Sequence, residues 1–357
     1  MGVRGQITYD YLKGLGFSQI DVTGCPSLAL NGPGLPLREK QPLTPESKLC
    51  FTGSVSNPPD FKKFAVRCTE RFPNTYFVPQ FIDDLRLMYL GIPHPDTADS
   101  RVLHPTNLDH PVFVEDKARF FINLPSMFAF NREMDFNYGT RIHGAIGNIL
   151  CGVPSLLFPT DARIRELAEY HNIPSIPASA VTPDTDLAAL YDQTDFRQVN
   201  NGHAERFWHL IDFLNENGIK TIYDDRTGTP ARSLYDEKTA ATSYAQPVHS
   251  MLVRPPEEIA RRVDTAMRLQ RKEIEDDSRL ATQLRDSQRK VTQLQERNKK
   301  QAAQIQALKE ERKALKTELK ATKKPLRRLA WYQRTSTFGI GFARLKKKLR
   351  RLLGKEK

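Results

Sequence analysis

Arg141 and His143 stand two residues apart between Gly139 and Gly144, inside the run MDFNYGTRIHGAIGNILCGVPSLLFPTDARIRELAEYHNIP at 134–174. A guanidinium forks onto a carboxylate or phosphate, and an imidazole, with an ordinary pKa of about 6.5, moves protons near neutral pH. Apolar residues 134–138 read as a strand, and a helix pattern starts at Ile142. The turn between them offers unpaired backbone N–H groups and the positive end of a helix dipole to an anion. A small acid carrying both a phosphate and a carboxylate suits that chemistry. Gly139, Thr140 and Gly144 complete the candidate binding turn, with Arg141 and His143 as its catalytic pair. The plainer reading is that Arg141 and His143 only satisfy buried carbonyls; the two glycines and the strand-to-helix placement favour the functional one.

Asp161, Arg163 and Glu166 follow at the start of the next helix pattern. A carboxylate there caps a helix whatever the function. Arg163 and Glu166, one helical turn apart, are able to pair with each other. These three are supporting candidates, and His171 reads as structural. Four cysteines (Cys25, Cys50, Cys68, Cys151) are scattered, without a CxxC pair or metal-type spacing to histidine, so no metal site is expected. The same scatter fits a reducing compartment.

The elements that must hold this turn alternate. Strands are predicted over 49–52, 76–78, 119–122, 134–138 and 154–158. Helices are predicted over 60–71, 82–90, around Phe128, from 142, and over 186–191 and 204–217. Apolar strands alternating with helices indicate an α/β fold, a doubly wound, Rossmann-like parallel sheet. Its ligands sit beyond the carboxyl ends of the strands, where 138–144 falls. Ahead of it, 6–15 reads as a helix and 19–23 as a strand, followed by a Pro/Gly-rich stretch. One helix and one strand make no core alone. This piece either packs on the following domain or belongs to a domain whose beginning lies outside the chain, and the second reading is preferred. The expected division is 1–45, remnant of a first lobe with its linker; 46–220, the donor-binding domain; 221–254, a loop; 255–322, a long helix; and 323–357, a basic tail.

The 357 residues carry a net charge of +12, and the tail 323–357 holds 13 Lys/Arg against Glu356 alone, so the rest of the chain is balanced. A polyanion partner is expected for the tail only, and no specific nucleic acid for the body. In the tail, Phe342, Leu345, Leu349, Leu352 and Leu353 share one helical face ringed by Arg and Lys, with Trp331, Tyr332 and Phe338 nearby, which suits an anionic membrane surface. No apolar run reaches the ~20 residues a bilayer span needs. A cytoplasmic protein, peripheral at the inner membrane face, is expected. Over 280–319 a heptad register has Leu284, Val291, Asn298, Ile305, Arg312 and Leu319 at a, and Leu280, Ser287, Leu294, Gln301, Leu308 and Leu315 at d. Eight of those twelve are apolar, so a coiled coil is expected, and Asn298 at a favours a parallel homodimer.

The segments Gly139-Thr140-Arg141-Ile142-His143-Gly144, Cys151-Gly152-Val153-Pro154-Ser155-Leu156-Leu157 and Asp161-Ala162-Arg163 with Glu166 to His171 resemble the polysaccharide pyruvyl transferase family. So do Val3-Arg4-Gly5 and Gly24-Cys25-Pro26-Ser27-Leu28. The resemblance is good over 1–30 and 118–175 and loose over 45–117. It implies a two-lobed, GT-B-like fold of Rossmann-like domains, of which the first lobe is incomplete here, because family chains carry a long stretch before the Val-Arg-Gly element. It implies a transferase moving a pyruvyl group from phosphoenolpyruvate to two hydroxyls of a cell-surface glycan as a ketal, with no cofactor. It also carries the donor site onto Arg141, His143 and, with a less defined role, Arg4. Two rival readings are a GT-B-like glycosyltransferase using a nucleotide sugar and an inactive, membrane-tethered coiled-coil scaffold.

Overall fold

The computed structural model describes residues 1–93, 105–223, 226, 234–335, 345–346 and 349–350. Met1–Gln270 form one compact unit, and Arg271–Lys357 a second. The strands are β1 (Gly2–Val3), β2 (Asp21–Val22), β3 (Leu49–Thr52), β4 (Thr75–Phe77), β5 (Phe136–Gly139) and β6 (Ser155–Leu157). The helices are α1 (Gln6–Gly14), α2 (Pro59–Arg71), α3 (Ile82–Leu90), α4 (Pro111–Val114), α5 (Leu124–Asn131), α6 (Ile142–Leu150), α7 (Ala162–Tyr170), α8 (Leu187–Gln193), α9 (His203–Glu216), α10 (Leu234–Thr239) and α11 (Pro256–Thr335).

The main sheet is fully parallel in the order β4-β3-β5-β6, with Thr52 at the end of β3 opposite Gly139 at the end of β5. Single parallel bridges extend it at both edges, Ala118 beside Phe77 and Ser175 beside Leu157. From β3 the chain winds outward through β4 to Ala118. It then returns to β5 and winds outward the other way through β6 to Ser175. The winding reverses between β3 and β5, the place where doubly wound sheets open a ligand crevice.

Alternating strand residues feed cores on both faces, as the doubly wound reading expects. On one face Leu49, Phe51, Phe136, Tyr138 and Leu156 pack with Phe61 and Phe64 of α2 and with Leu87 and Met88 of α3. Opposite, Leu157 packs with Ile142, Ala145, Ile146 and Ile149 of α6 and with Ile164 and Leu167 of α7.

Residues 1–31 join this second core. Cys25 and Leu28 pack on α6 and α7, while β1 and β2 pair only with each other. The segment thus packs on the Rossmann-like body through Cys25 and Leu28, while Ile7 and Tyr11 of α1 and Leu15 after it are exposed.

Two expectations change. The predicted strand 119–122 reduces to bridges, since Phe120 pairs antiparallel with Val248 from the stretch read as loop, and that stretch also contains α10. The last helix does not end before 323 but continues through Pro325 to Thr335. The face expected of Phe342, Leu352 and Leu353 lies outside the described residues. Among the described residues, no helix is long and apolar enough to cross a membrane.

Candidate functional site

The turn 139–143 is built from the backbone outward. Gly139 adopts φ +152°, and a Cβ there would collide with the carbonyl of Thr52. At Gly144 a Cβ would lie 2.6 Å from Thr52 Cγ2. Both glycines therefore let the start of α6 press onto the end of β3. That contact is locked by Thr140 N donating to Thr52 O at 2.8 Å and by Arg141 N donating to the same oxygen at 3.3 Å. Thr140 is buried, and its hydroxyl donates to Asn57 Oδ1 at 2.8 Å, tying the turn to the loop after β3. In that loop the hydroxyls of Ser54 and Ser56 bond each other at 2.9 Å.

Arg141 is the N-cap of α6, and among the described residues no side chain caps the helix. Its guanidinium lies 4.2 Å over the ring of Phe81, from the loop after β4. Its Nε is buried without a hydrogen-bond partner. Burial and then the neighbouring Arg163 hold the Arg141 pKa below the usual value, while Asp84 and Asp161 act the other way. Two like charges thus approach across the ends of β5 and β6. Among the described residues Arg163 forms no ion pair; it is exposed in the first turn of α7. A cationic corner of this kind favours an anion bridging it.

His143 is exposed and turned toward the segment that precedes the sheet. Near it lies the thiol of Cys25, which burial works to raise but which His143 and Ser27 bring down to about 7. The Cys25 backbone is fixed from behind, its N–H donating to His171 Nε2 at 2.8 Å. Burial pushes the His171 pKa down to about 3, which keeps that nitrogen an acceptor. Arg141 and His143 therefore leave the turn toward different neighbours, the arginine toward Phe81 and Arg163 and the histidine toward Cys25.

The remaining candidates divide. Asp161 caps α7, accepting from Ile164 N at 2.8 Å. Glu166 does not pair with Arg163. It is buried and caps α1, accepting from Thr8 N at 2.9 Å and Thr8 Oγ1 at 2.7 Å. The reason is steric, because Gly5 leaves room for the Glu166 side chain directly beneath the start of α1. Arg4, exposed in the turn between β1 and α1, is thereby carried to the side of α7 that also bears Arg163 one turn earlier. Sequence reasoning missed Phe81, the Ser54–Asn57 loop and the Cys25 contact. The first two were signalled only by their place after β4 and β3.

The family profile of polysaccharide pyruvyl transferase matches residues 1–162. Among solved structures, the glycotransferase of kitacinnamycin is 20% identical, with 51% of this chain and 42% of that chain covered and a TM-score of 0.27. The glycosyltransferase SnogD from Streptomyces nogalater is 16% identical, with 58% and 62% covered and a TM-score of 0.23. The chain thus spans less than two thirds of either structure's length. No curated protein matches it. The strand-to-helix turn at 139–144, the Val-Arg-Gly element and the profile match agree, and the match over residues 1–162 supports a polysaccharide pyruvyl transferase domain in this part of the chain.

Proposed function

We propose that the chain takes part in transferring a pyruvyl group from phosphoenolpyruvate to two hydroxyls of a sugar in a cell-surface polysaccharide. The observation that carries this reading is the cationic corner. Arg141 has a buried, unpartnered Nε at the uncapped start of α6, and Arg163 stands beside it. Phosphoenolpyruvate has two anionic groups on adjacent positions of a three-carbon frame. One meets the N–H groups at the start of α6, and the other meets the guanidiniums.

The chemistry asked of the site is modest in its parts. A proton is delivered to the methylene carbon, which becomes the methyl group and leaves a cationic centre at C2. One sugar hydroxyl adds to C2, phosphate departs, and the second hydroxyl closes the ketal. Each hydroxyl gives up a proton. His143 at the second position of α6 is the group for proton transfer, and Cys25 is its neighbour. Arg141 and Arg163 neutralise the phosphate as it leaves.

The acceptor is a glycan. A second copy pairs through 280–319, and the basic stretch 323–357 meets an anionic membrane surface, which places the chemistry at the inner membrane face. Phosphate release from phosphoenolpyruvate is the test, run with the chain, any partner lobe and candidate acceptor glycans. Release should require an acceptor and fall about 100-fold or more in His143→Ala. Acceptor-independent release, or an unchanged rate in that variant, contradicts the assignment of the histidine.

A further inference from the structure

The long helix carries a pattern that is independent of the transferase reading. The eight apolar residues at its a and d positions are all more than half exposed, from Val291 at 52% to Leu308 at 63%. An 80-residue helix is ~120 Å long, and a bare stripe of leucine and isoleucine along it needs a cover. Four core layers between Leu280 and Leu319 are polar: Ser287, Asn298, Gln301 and Arg312. Counted from the first layer they are the third, sixth, seventh and tenth of twelve, and counted from the last layer they occupy the same places. The stripe reads the same in both directions.

We propose that α11 pairs with α11 of a second copy of the chain, antiparallel, about a centre between Lys299 and Lys300. In this register a layers meet d layers of the other copy. Leu280 meets Leu319, Leu284 meets Leu315, Ser287 meets Arg312, and Asn298 meets Gln301. Every apolar layer is covered by an apolar layer, and the two central amides face each other.

The rule for a single asparagine at a points to parallel strands. Parallel pairing, however, stacks Arg312 on its own copy inside the seam, a like-charge layer. Antiparallel pairing sets each Arg312 against a serine. On the flank it brings g-position Lys290 opposite Glu311, twice by symmetry. Parallel pairing would instead gain Glu311 to Lys316 and Glu318 to Lys323, flank pairs of the same small size, so the Arg312 layer and the palindromic order of the seam decide the orientation.

A chain carrying both Leu284→Cys and Leu315→Cys, oxidised and mapped by peptide mass spectrometry, decides the orientation. The expected product is a disulfide between Cys at 284 of one copy and Cys at 315 of the other. Links joining 284 to 284 and 315 to 315 overturn the proposal, as does a chain that sediments as a monomer at tens of micromolar. A charge-swap series leaves the core intact and guards against a coil weakened by the cysteines. Lys290→Glu should weaken dimerisation about fivefold, and adding Glu311→Lys should restore it. In a parallel pair Lys290 faces Gln295, so an unchanged dimer in Lys290→Glu also overturns the antiparallel assignment.

Discussion

Helix starts that follow strands are finished in two ways. At α7 the protein supplies its own anion, Asp161, which accepts from Ile164 N at 2.8 Å, and at α1 it supplies Glu166. At α3, Asp84 Oδ2 accepts from Phe81 N at 3.4 Å. At α6 the N-cap is an arginine, and among the described residues no side chain caps the helix; α2, with Pro58 at its N-cap, is likewise uncapped but carries Asp60 in its first turn. A helix start left without a carboxylate cap, beside a half-buried arginine, suits an anion from outside. The contrast also separates duties. The carboxylates at α1, α3 and α7 hold the scaffold, whereas the start of α6 is left open for the anion proposed above.

That contrast is open to attack at several depths. The largest effect is expected where the seat of α6 itself is filled. Gly144→Val drives a branched side chain into Thr52, whose Cγ2 would be 2.6 Å from a Cβ, and should cost more than ~3 kcal/mol in urea unfolding. Next come the filled caps. Glu166→Ala strands the N–H and hydroxyl of Thr8 and should cost about 2 kcal/mol, and Asp161→Ala about 1 kcal/mol, with donor affinity changed little by either.

A pH effect should be smaller and gradual. His171 has a folded pKa of about 3 against 6.5 for the free side chain, because burial disfavours its charged form. A depressed folded value means that its contribution is complete above about 6.5 and is lost as pH falls toward 3. The melting temperature should therefore decline through that window, and His171→Gln, which keeps an acceptor for Cys25 N–H, should flatten the decline.

Much of the scaffold was legible in the chain. Strand 49–52 and helix 82–90 have the bounds their apolar pattern predicts, since both are short, strongly patterned and closed by Thr52-Gly53 or Gly91. The predicted strand 119–122 was not realised, because its neighbour Phe77 is engaged by Ala118 and Phe120 finds Val248 from a polar stretch with no strand signal. Within the site, the turn 139–144 was read from its own residues. The nearness of Arg163 to Arg141, the ring of Phe81 and the Cys25 contact depend on which strands lie side by side and how the loops after them fold. Glycine was the most ambiguous letter. Gly139 and Gly144 suggested a ligand, and the structure uses both to seat α6 on Thr52.

Calorimetric titration of phosphoenolpyruvate into the chain and into Arg141→Asp tests the central claim most directly. The account predicts that Arg141→Asp, which gives α6 the kind of cap α7 has, raises stability by about 0.5–1 kcal/mol and weakens phosphoenolpyruvate binding at least 100-fold. Arg67→Ala, remote on α2 and paired with Asp184, should leave binding unchanged. Binding that survives Arg141→Asp, or a chain that does not bind phosphoenolpyruvate at all, would contradict it.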